Sequence, residues 1–460
     1  MIRNYFLVAW RNLTSQRLYS SINLLGLTIG TAVVILLLAH VRDELTFDQF
    51  HPNADRISRA WVKEHADGNV FFNTITPYVL GPVLEDNIPE VESVTRYMTF
   101  PVQFKEETQT GQEDVHAVEP SFLRMFGFKL LQGDPDRLLS EPNSIVLTES
   151  MARKYFGEPR PIGKTLKVYM DDWSDFRVTG VMADPPVNSS LQFTSLVPLA
   201  TFKNRLSENG QVSWTNVNVE TYVLLKPGAD RLAVEKKIQP LMDVQVAKIY
   251  DPGKYEVGLQ PLTDIHLDDA FPVGFVPVSN PRYPYILGAI GLLILLLAGI
   301  NFTTLAVGRS MTRAKEVGIR KTTGATRGQL IGQYWVESVL TATIAVIAGF
   351  IVARVLLPYF NDLSDKHLDL SLNGNMILFL VALALLTGLL AGIYPAMIVS
   401  GFQPIQALQG NNNTGKQQKF GTLRGLVGAQ FTISILLIIC TWTMSQQLHF
   451  LQNKDLGYNH

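Results

Sequence analysis

The stretch Tyr285–Val307 reads YILGAIGLLILLLAGINFTTLAV and contains no charged residue. A helix needs about 20 residues, at about 1.5 Å each, to cross the roughly 30 Å apolar layer of a bilayer. Arg354 is the only formal charge in this stretch and four similar ones, whereas buried helices of soluble proteins are usually shorter and more polar. The four others are Ile22–Val41, Val339–Leu357, Met376–Ile398 and Leu426–Met444. The sequence therefore predicts a multi-pass α-helical membrane protein.

The distribution of lysine and arginine predicts the orientation of these spans, because cytoplasmic flanks are enriched in both residues. The segment before the first span, the loop after the second and the loop after the fourth are basic. Their cations are Arg3, Arg11, Arg17, Arg309, Arg313, Lys315, Arg320, Lys321, Arg327, Lys416, Lys419 and Arg424. The segment Asn361–Asn375, in contrast, carries three aspartates and one lysine. The basic flanks are therefore expected in the cytoplasm, and the polar block Arg42–Tyr283 and the C-terminus outside.

The first 20 residues have the pattern of an amphipathic helix. Its apolar face would hold Ile2, Tyr5, Phe6, Ala9, Trp10 and Leu13. Such a helix lies in the headgroup layer of a membrane, with aromatic rings at the interface. We expect residues 1–20 to form a cytoplasmic interfacial helix, the alternative being an uninvolved leader. Because no small-x-small cleavage site follows the first span, residues 21–42 are expected to remain as an anchor.

The polar block, taken as residues 43–283, is expected to form a large mixed α/β extracytoplasmic domain inserted between the first and second transmembrane helices. Ser144–Leu147, Phe176–Met182 and Thr221–Lys226 are β-branched or aromatic-rich and predict strands. Glu149–Phe156 predicts a short helix that is stopped by Gly157 and Pro159. The only cysteine, Cys440, lies in the fifth span, so this domain would be held together by its core and not by disulfides.

Composition and motifs argue against several classes of function. The formal net charge of −1 is not that of a general nucleic-acid binder. The run Gly157–Thr165 resembles a phosphate-binding loop but has five residues between its glycines, and two are prolines without an N–H group; it predicts a tight turn into a strand near Thr165. The histidines lack metal-ligand spacing, and the acidic stretches at Asp171–Asp172 and Asp264–Asp269 are expected to be solvated loops. We expect no catalytic site, metal or cofactor.

Two pairs of small residues have the spacing of close helix packing. Gly26 and Gly30 lie in the first span, and Gly388 and Gly392 in the fourth. Glycines four apart let helix backbones approach in a membrane, within one chain or between two protomers. The spans lack the row of polar groups at mid-membrane that a secondary transporter uses.

The loop between the second and third spans covers residues 308–333. It is longer than a basic loop that only sets membrane orientation, and it has the pattern of an ordered element. Glu316 and Arg320 are four residues apart, which supports a helix, while Val317 and Ile319 add apolar contact area. Gly324-Ala325 is expected to break this helix before the third span. The alternative is a loop whose charge only sets topology.

The same loop, RAKEVGIRKTTGA from Arg313 to Ala325, resembles the signature of FtsX-like, MacB-type ABC transporter permeases. Tyr155-Phe156-Gly157, Tyr394-Pro395-Ala396 and the order of spans are similar too. The resemblance implies two permease copies, or one with a sibling permease, and two cytoplasmic ATPase subunits that hydrolyse ATP and drive the external domain. It assigns the ATPase contact to Arg313, Lys315, Glu316, Gly318, Ile319, Arg320, Lys321, Gly324 and Ala325. It also implies a bacterial inner-membrane location and a permease domain at residues 284–400.

The fifth span exceeds the four spans of the family's minimal form. We interpret residues 401–425 as a cytoplasmic linker and residues 426–460 as the start of a second repeat, so that the chain would be part of a longer tandem protein. Two other functions compete with the permease. One is a membrane-anchored sensor or scaffold that regulates envelope partners without transport, and the other is a membrane-tethered hydrolase, for which no nucleophile or metal site is evident.

Overall fold

The structure is a computed structural model that describes residues 2–15, 17–66, 68–106, 109–157, 160–203, 208–276, 278–312, 314–401 and 413–453. The chain divides into two compact units. One unit, the membrane unit, comprises Met1–Val41 and Pro284–His460, and the other, the soluble unit, comprises Arg42–Tyr283.

The helices of the described residues are named in chain order. They are α1 (Ile2–Ser15), α2 (Arg17–Leu45), α3 (Leu80–Asn87), α4 (Ser121–Phe126), α5 (Glu149–Phe156), α6 (Ala200–Lys203), α7 (Glu208–Val212), α8 (Arg231–Gln245), α9 (Arg282–Thr312), α10 (Ala314–Thr322), α11 (Arg327–Ser364), α12 (Gly374–Ser400) and α13 (Asn413–Asn453). Short 3-10 turns occur at Ala54–Arg56 and Leu262–Leu267.

Five described helices are long and apolar enough to cross a membrane, as the sequence predicted. The candidate spans are Ser20–Leu45, Arg282–Gly308, Arg327–Ser364, Gly374–Ile398 and Arg424–Leu451. Each is longer than the apolar run seen in the sequence, because the helical backbone continues past the run at one end or both. The largest extension is in α11, which continues through Pro358.

Packing in the membrane unit joins α2, α9, α11 and α12. One apolar cluster brings Ile35 of α2 together with Phe350 of α11 and Leu383 of α12. A second brings Leu27 of α2 together with Phe302 of α9 and Ala391 of α12. The fifth span behaves differently, since none of its apolar window is buried within the described chain. Phe431, Trp442 and Leu448 of α13 are all exposed.

The soluble unit is built on one mixed sheet. Its strands are β1 (Ile57–Ala66), β2 (Asn69–Asn73), β3 (Thr76–Pro77), β4 (Val91–Glu106), β5 (Gln109–Val118), β6 (Leu130–Gly133), β7 (Ser144–Thr148), β8 (Thr165–Tyr169), β9 (Trp173–Met182), β10 (Ser195–Pro198), β11 (Val217–Leu225) and β12 (Tyr255–Pro261). Their order is β12-β1-β11-β4-β5-β10-β7-β9-β6. In addition, β2 pairs with β1, β3 with β11, and β8 with both β4 and β9. Most neighbours are antiparallel, but β10 runs parallel to β5 and β7 runs parallel to β9.

The predicted elements of the soluble unit are confirmed, with small changes at their ends. The three predicted strands are β7, most of β9 and the second half of β11, which ends at Leu225. The predicted helix is α5. Its N-cap residue is Thr148, whose hydroxyl accepts a hydrogen bond from the Met151 N–H at 3.4 Å. Gly157 ends this helix with a φ of +67°, a left-handed conformation that favours glycine. The mixed α/β class is therefore correct.

The described residues just before β8, 160–164, form a turn, as the sequence predicted. Gly163 has a φ of +84°, and its N–H donates to the carbonyl oxygen of Val178, 2.8 Å away. The strand β8 then begins at Thr165. This N–H is therefore used by the protein itself and does not face a phosphate site.

Candidate functional site

The segment between α9 and α11 forms a helix followed by a tight turn. The N–H of Ala325 donates to the carbonyl oxygen of Arg320 at 2.9 Å, and Gly324 has a φ of +97°, so α10 ends as the sequence predicted. Thr326 then begins α11 with a capping box, in which its hydroxyl accepts from the Gln329 N–H and the Gln329 side chain accepts from the Thr326 N–H. Both ends of the turn are thus defined by hydrogen bonds.

The two apolar residues of α10 lie in different environments. Val317 is only 3% exposed and packs with Leu330 and Tyr334 of α11. Ile319 is 54% exposed. Residues two apart on a helix point in nearly opposite directions, so burial of Val317 turns Ile319 outward. Burying a valine side chain stabilises the α10–α11 contact by about 1.5 kcal/mol or more.

The cations of the turn are engaged within the membrane unit. Arg320 Nη1 donates to Gln333 Oε1 at 2.7 Å. Lys321 Nζ donates to the carbonyl oxygen of Ser400 at 2.7 Å, and Arg327 Nε donates to the Ser400 hydroxyl at 3.2 Å. Ser400 ends α12, where carbonyl groups lack intrahelical partners and carry partial negative charge. The two cations therefore join the ends of α10 and α11 to the end of α12.

The other candidate contact residues are only partly described. Gly318 is buried beside Val317, while Gly324 is exposed and Ala325 half-buried. Lys315 and Glu316 belong to α10, but their side chains, like all of Arg313, lie outside the described part of the chain. The predicted Glu316–Arg320 pair therefore stays a prediction. The outward surface of the described segment consists of Ile319, Thr322, Thr323 and Gly324.

The four glycines singled out for packing all face a neighbouring helix of the same chain. A Cβ atom on Gly30 would lie 2.8 Å from Cβ of Ala298 in α9, and one on Gly26 would lie 3.0 Å from Nδ2 of Asn301. A Cβ on Gly388 would lie 2.6 Å from Cα of Val339 in α11, and one on Gly392 would lie 2.7 Å from Oγ of Ser338. Real Cβ atoms do not approach as closely as they would at Gly30, Gly388 and Gly392, so larger residues there would force the helices apart, and the contact at Gly26 would be tight.

Buried hydroxyl groups, which were not predicted from the sequence, link the same spans. Thr31 is fully buried in α2, and its Oγ1 lies 3.3 Å from the carbonyl oxygen of Ala345 in α11. Thr303 of α9 donates to the carbonyl oxygen of Ala391 in α12 at 3.0 Å. Threonines within apolar runs were the available signal, since a hydroxyl in a membrane finds a backbone carbonyl on its own or a neighbouring helix.

The soluble unit contains a buried charge network that was not predicted from the sequence either. Arg59 of β1 donates to Glu220 of β11 and, at 2.7 Å, to Gln260 of β12. The Tyr222 hydroxyl donates to Glu220 Oε2 at 2.8 Å, and the Phe275 N–H donates to Oε1 at 2.9 Å. Burial raises the pKa of Glu220, and the positive charge of Arg59 opposes that rise. A single glutamate within the β-branched run of β11 was the only signal in the sequence.

This network fixes the segment that leads into α9. A Cβ atom on Gly274 would overlap Glu220 Oε1 and come within 2.7 Å of the Thr74 hydroxyl. Position 274 must therefore be glycine for the backbone to approach the carboxylate. The segment after the 3-10 turn Leu262–Leu267 is thus held to the sheet by Glu220 a few residues before α9 begins at Arg282.

His266, which lies in an acidic stretch expected to be a solvated loop, is in fact buried. Its ring stacks on Phe47 with 3.5 Å between centroids, and Nε2 lies 3.1 Å from Glu44 Oε2. These contacts explain its position by packing and hydrogen bonding. Among the described residues, no group of three or more acidic, histidine or cysteine side chains is arranged to hold a metal ion.

Two family profiles match most of the chain. The MacB-like periplasmic core domain matches residues 20–241, and the FtsX-like permease C-terminal domain matches residues 288–404. This chain belongs to the FtsX-like, MacB-type ABC permease family. The first profile covers most of α2 and most of the soluble unit of the permease. The second covers most of α9 and all of α10, α11 and α12, so the resemblance stated from the Arg313–Ala325 run is confirmed.

The permease is also similar to curated proteins. The macrolide export ATP-binding/permease protein MacB of Burkholderia lata is 24% identical over 419 residues, which are 87% of this chain and 56% of that protein. The protein of the same name from Agrobacterium fabrum is 23% identical over 339 residues, which are 70% of this chain and 47% of that protein. The chain thus spans about half the length of the curated relatives that it matches.

Among solved structures, a permease domain from Porphyromonas gingivalis aligns with a TM-score of 0.41 and 22% identity. The alignment covers 52% of this chain and 98% of that domain.

Proposed function

We propose that this permease converts ATP hydrolysis by a partner ATPase into movement of its soluble unit. In this proposal two ATPase subunits bind on the cytoplasmic side, and the permease works as a pair of this chain or with a sibling permease. The soluble unit lies in the periplasm, and its movement serves export or another handling of envelope substrates. ATP hydrolysis is assigned to the ATPase and not to the permease.

The observation that carries the proposal is the connection of α10 to its neighbours. Val317 packs on α11, while Lys321 and Arg327 hold the end of α12 through Ser400. A push on the exposed face of α10 would therefore be passed to two spans together. The same face presents Ile319 beside the hydroxyls of Thr322 and Thr323, a small apolar contact with a polar rim that suits a protein partner.

The names of the relatives also support the pairing of this permease with an ATP-binding protein. The Burkholderia lata protein is named for macrolide export and joins ATP-binding and permease functions in one name. We infer that the same two functions act together here, with ATP binding supplied by a partner. Macrolides are not assigned as substrates of this chain.

Photo-crosslinking at Ile319 tests the proposal. A photoreactive residue at this position should capture an ABC-class ATPase in cells, and one at Val244, an exposed aliphatic residue of α8 in the soluble unit, should not. The variant Ile319→Glu should then lower both ATPase co-purification and the ATP hydrolysis of the reconstituted complex, while Val244→Glu should leave both unchanged. Equal capture at the two positions, or an unaltered complex in Ile319→Glu, would contradict the assignment.

A further inference from the structure

A cleft of about 720 Å³ opens on the sheet of the soluble unit. It is lined by Tyr97 of β4 and by Asp114 and His116 of β5. Phe193 and Phe275 contribute its other aromatic residues. This volume is in the range of pockets that bind small organic molecules, and the mixture of aromatic and polar residues is typical of them.

The charge of the cleft is negative. Glu113 and Asp114 are the charged residues among its described lining, which contains no lysine or arginine. Glu113 is already engaged, because its Oε1 accepts from Lys154 Nζ and from the Tyr155 hydroxyl, both at 2.6 Å. Asp114 is exposed, and its carboxylate has no ion-pair partner in the part of the chain that is described. It therefore offers an uncompensated negative charge to an occupant.

His116 adds a second polar group without adding positive charge. It is only 7% exposed, and its Nδ1 lies 2.6 Å from the Tyr97 hydroxyl. Burial lowers its pKa to about 4, so the ring is neutral at physiological pH and does not offset Asp114. Its other nitrogen, Nε2, makes no hydrogen bond to any described residue. Because Nε2 is not one of the buried polar atoms that lack a partner, water or an occupant of the cleft can reach it.

We propose that this cleft binds an organic cation that carries an aromatic ring. The cationic group would pair with the Asp114 carboxylate, and the ring would lie against Phe275, which is partly exposed. Aromatic faces also attract cations, so the walls and the carboxylate favour the same class of ligand. A carboxylate-bearing or phosphorylated ligand is disfavoured by the uncompensated charge of Asp114.

A ligand in the cleft would also affect the segment that precedes α9. Phe275 lines the cleft, and its backbone N–H donates to Glu220 in the buried charge network. A ligand that packs on Phe275 would therefore stabilise the position of that segment. Binding itself does not depend on the proposed ATPase contact, so the two proposals can fail separately.

The test uses 4-aminobenzamidine as the cationic probe and 4-aminobenzamide, which has nearly the same shape, as the neutral one. The full chain is placed in lipid nanodiscs, empty nanodiscs give the background, and affinity is measured by saturation-transfer NMR. We expect the cation to bind more tightly than the amide. Asp114→Asn should weaken cation binding about fivefold, the effect of a solvent-accessible ion pair, and leave amide binding unchanged.

Three further variants complete the test. Asp114→Glu keeps the charge and should keep most of the affinity, whereas Asp136→Asn removes an exposed acid outside the cleft and should change nothing. Phe275→Leu keeps the backbone N–H but removes an aromatic wall, and should weaken both probes. Absence of cation binding to the wild-type chain, equal affinity for the two probes, or equal affinity of wild type and Asp114→Asn would overturn the proposal.

Discussion

Arg59 Nη1 lies 3.2 Å from Glu220 Oε1, and both side chains are completely shielded from solvent. Two ionised groups taken out of water lose several kcal/mol of hydration each, so such a pair is stable only when further hydrogen bonds complete it. Gln260, Tyr222 and the N–H of Phe275 supply them. The network joins three strands of the sheet to the segment that precedes α9.

Removal of one partner should therefore be costly. We expect Glu220→Ala to lower the free energy of unfolding of the soluble unit by about 3–5 kcal/mol, because Arg59 would remain buried and unpaired. The measurement is urea unfolding of the full chain in detergent, followed by tryptophan fluorescence. Glu92→Ala, which breaks the partly exposed pair with Arg56, is the control and should cost about 1 kcal/mol or less. Similar losses in the two variants would contradict this account.

The stability of the soluble unit should also depend on the protonation of His116. Its pKa is about 4 in the folded chain, below the usual value of about 6.5 in the unfolded chain. Between these values the unfolded state binds the proton and the folded state does not, so stability falls as pH falls from about 6.5 to 4. The full effect is about 3 kcal/mol.

The variant His116→Gln checks this pH dependence, because glutamine is polar and does not titrate. Urea unfolding at several pH values should give a shallower dependence below pH 6.5 than the wild type gives. Parallel curves for the two proteins would show that other groups cause the acid sensitivity.

The close contact between α12 and α11 predicts that valine is more destabilising at Gly388 than at Gly299. We expect Gly388→Val to lower the melting temperature in detergent, because the new Cβ would lie 2.6 Å from Cα of Val339 and force α12 from α11. Overpacking of this kind typically costs about 1–3 kcal/mol. Gly299→Val is the matched control, since nothing lies within 4 Å of a Cβ at that position of α9. The same melting temperature for both variants would argue against the contact.

The proposed orientation places Thr322 in the cytoplasm and Val244 outside. With Cys440 replaced by serine, single cysteines at these exposed positions can be treated with a membrane-impermeant maleimide. The cysteine at 244 should react in intact spheroplasts, and the one at 322 only after the membrane is opened. The reverse pattern would invert the orientation and remove the proposed ATPase contact.

The sequence predicted the spans and the class of the fold because both depend on local patterns. An uninterrupted apolar run needs no tertiary information, and α5 is bounded by its own Thr148 cap and Gly157 stop. The strand order was beyond reach, because pairs such as β1 with β12 join residues far apart in sequence. In the same way, nothing local indicated that Arg59 and Glu220 would meet.

The proposed ATPase-contact segment, Arg313–Ala325, was predicted only in part. The basic run and the turn at Gly324 were predicted. The prediction did not distinguish Val317, which is buried against α11, from Ile319, which is exposed. A spacing of two residues on a helix could have indicated this separation. The partner of Lys321, the carbonyl of Ser400, lies on another helix and could be found only from the structure.

The close approach of Gly274 to Glu220 has a consequence for genetic variation. Any replacement at codon 274 places a carbon 2.2 Å from the carboxylate oxygen, and even alanine would push the backbone away from Glu220. Gly288 and Gly299, which have open space around them, carry no such restriction. In a library selected for folded protein, codon 274 should therefore stay fixed while codons 288 and 299 diversify.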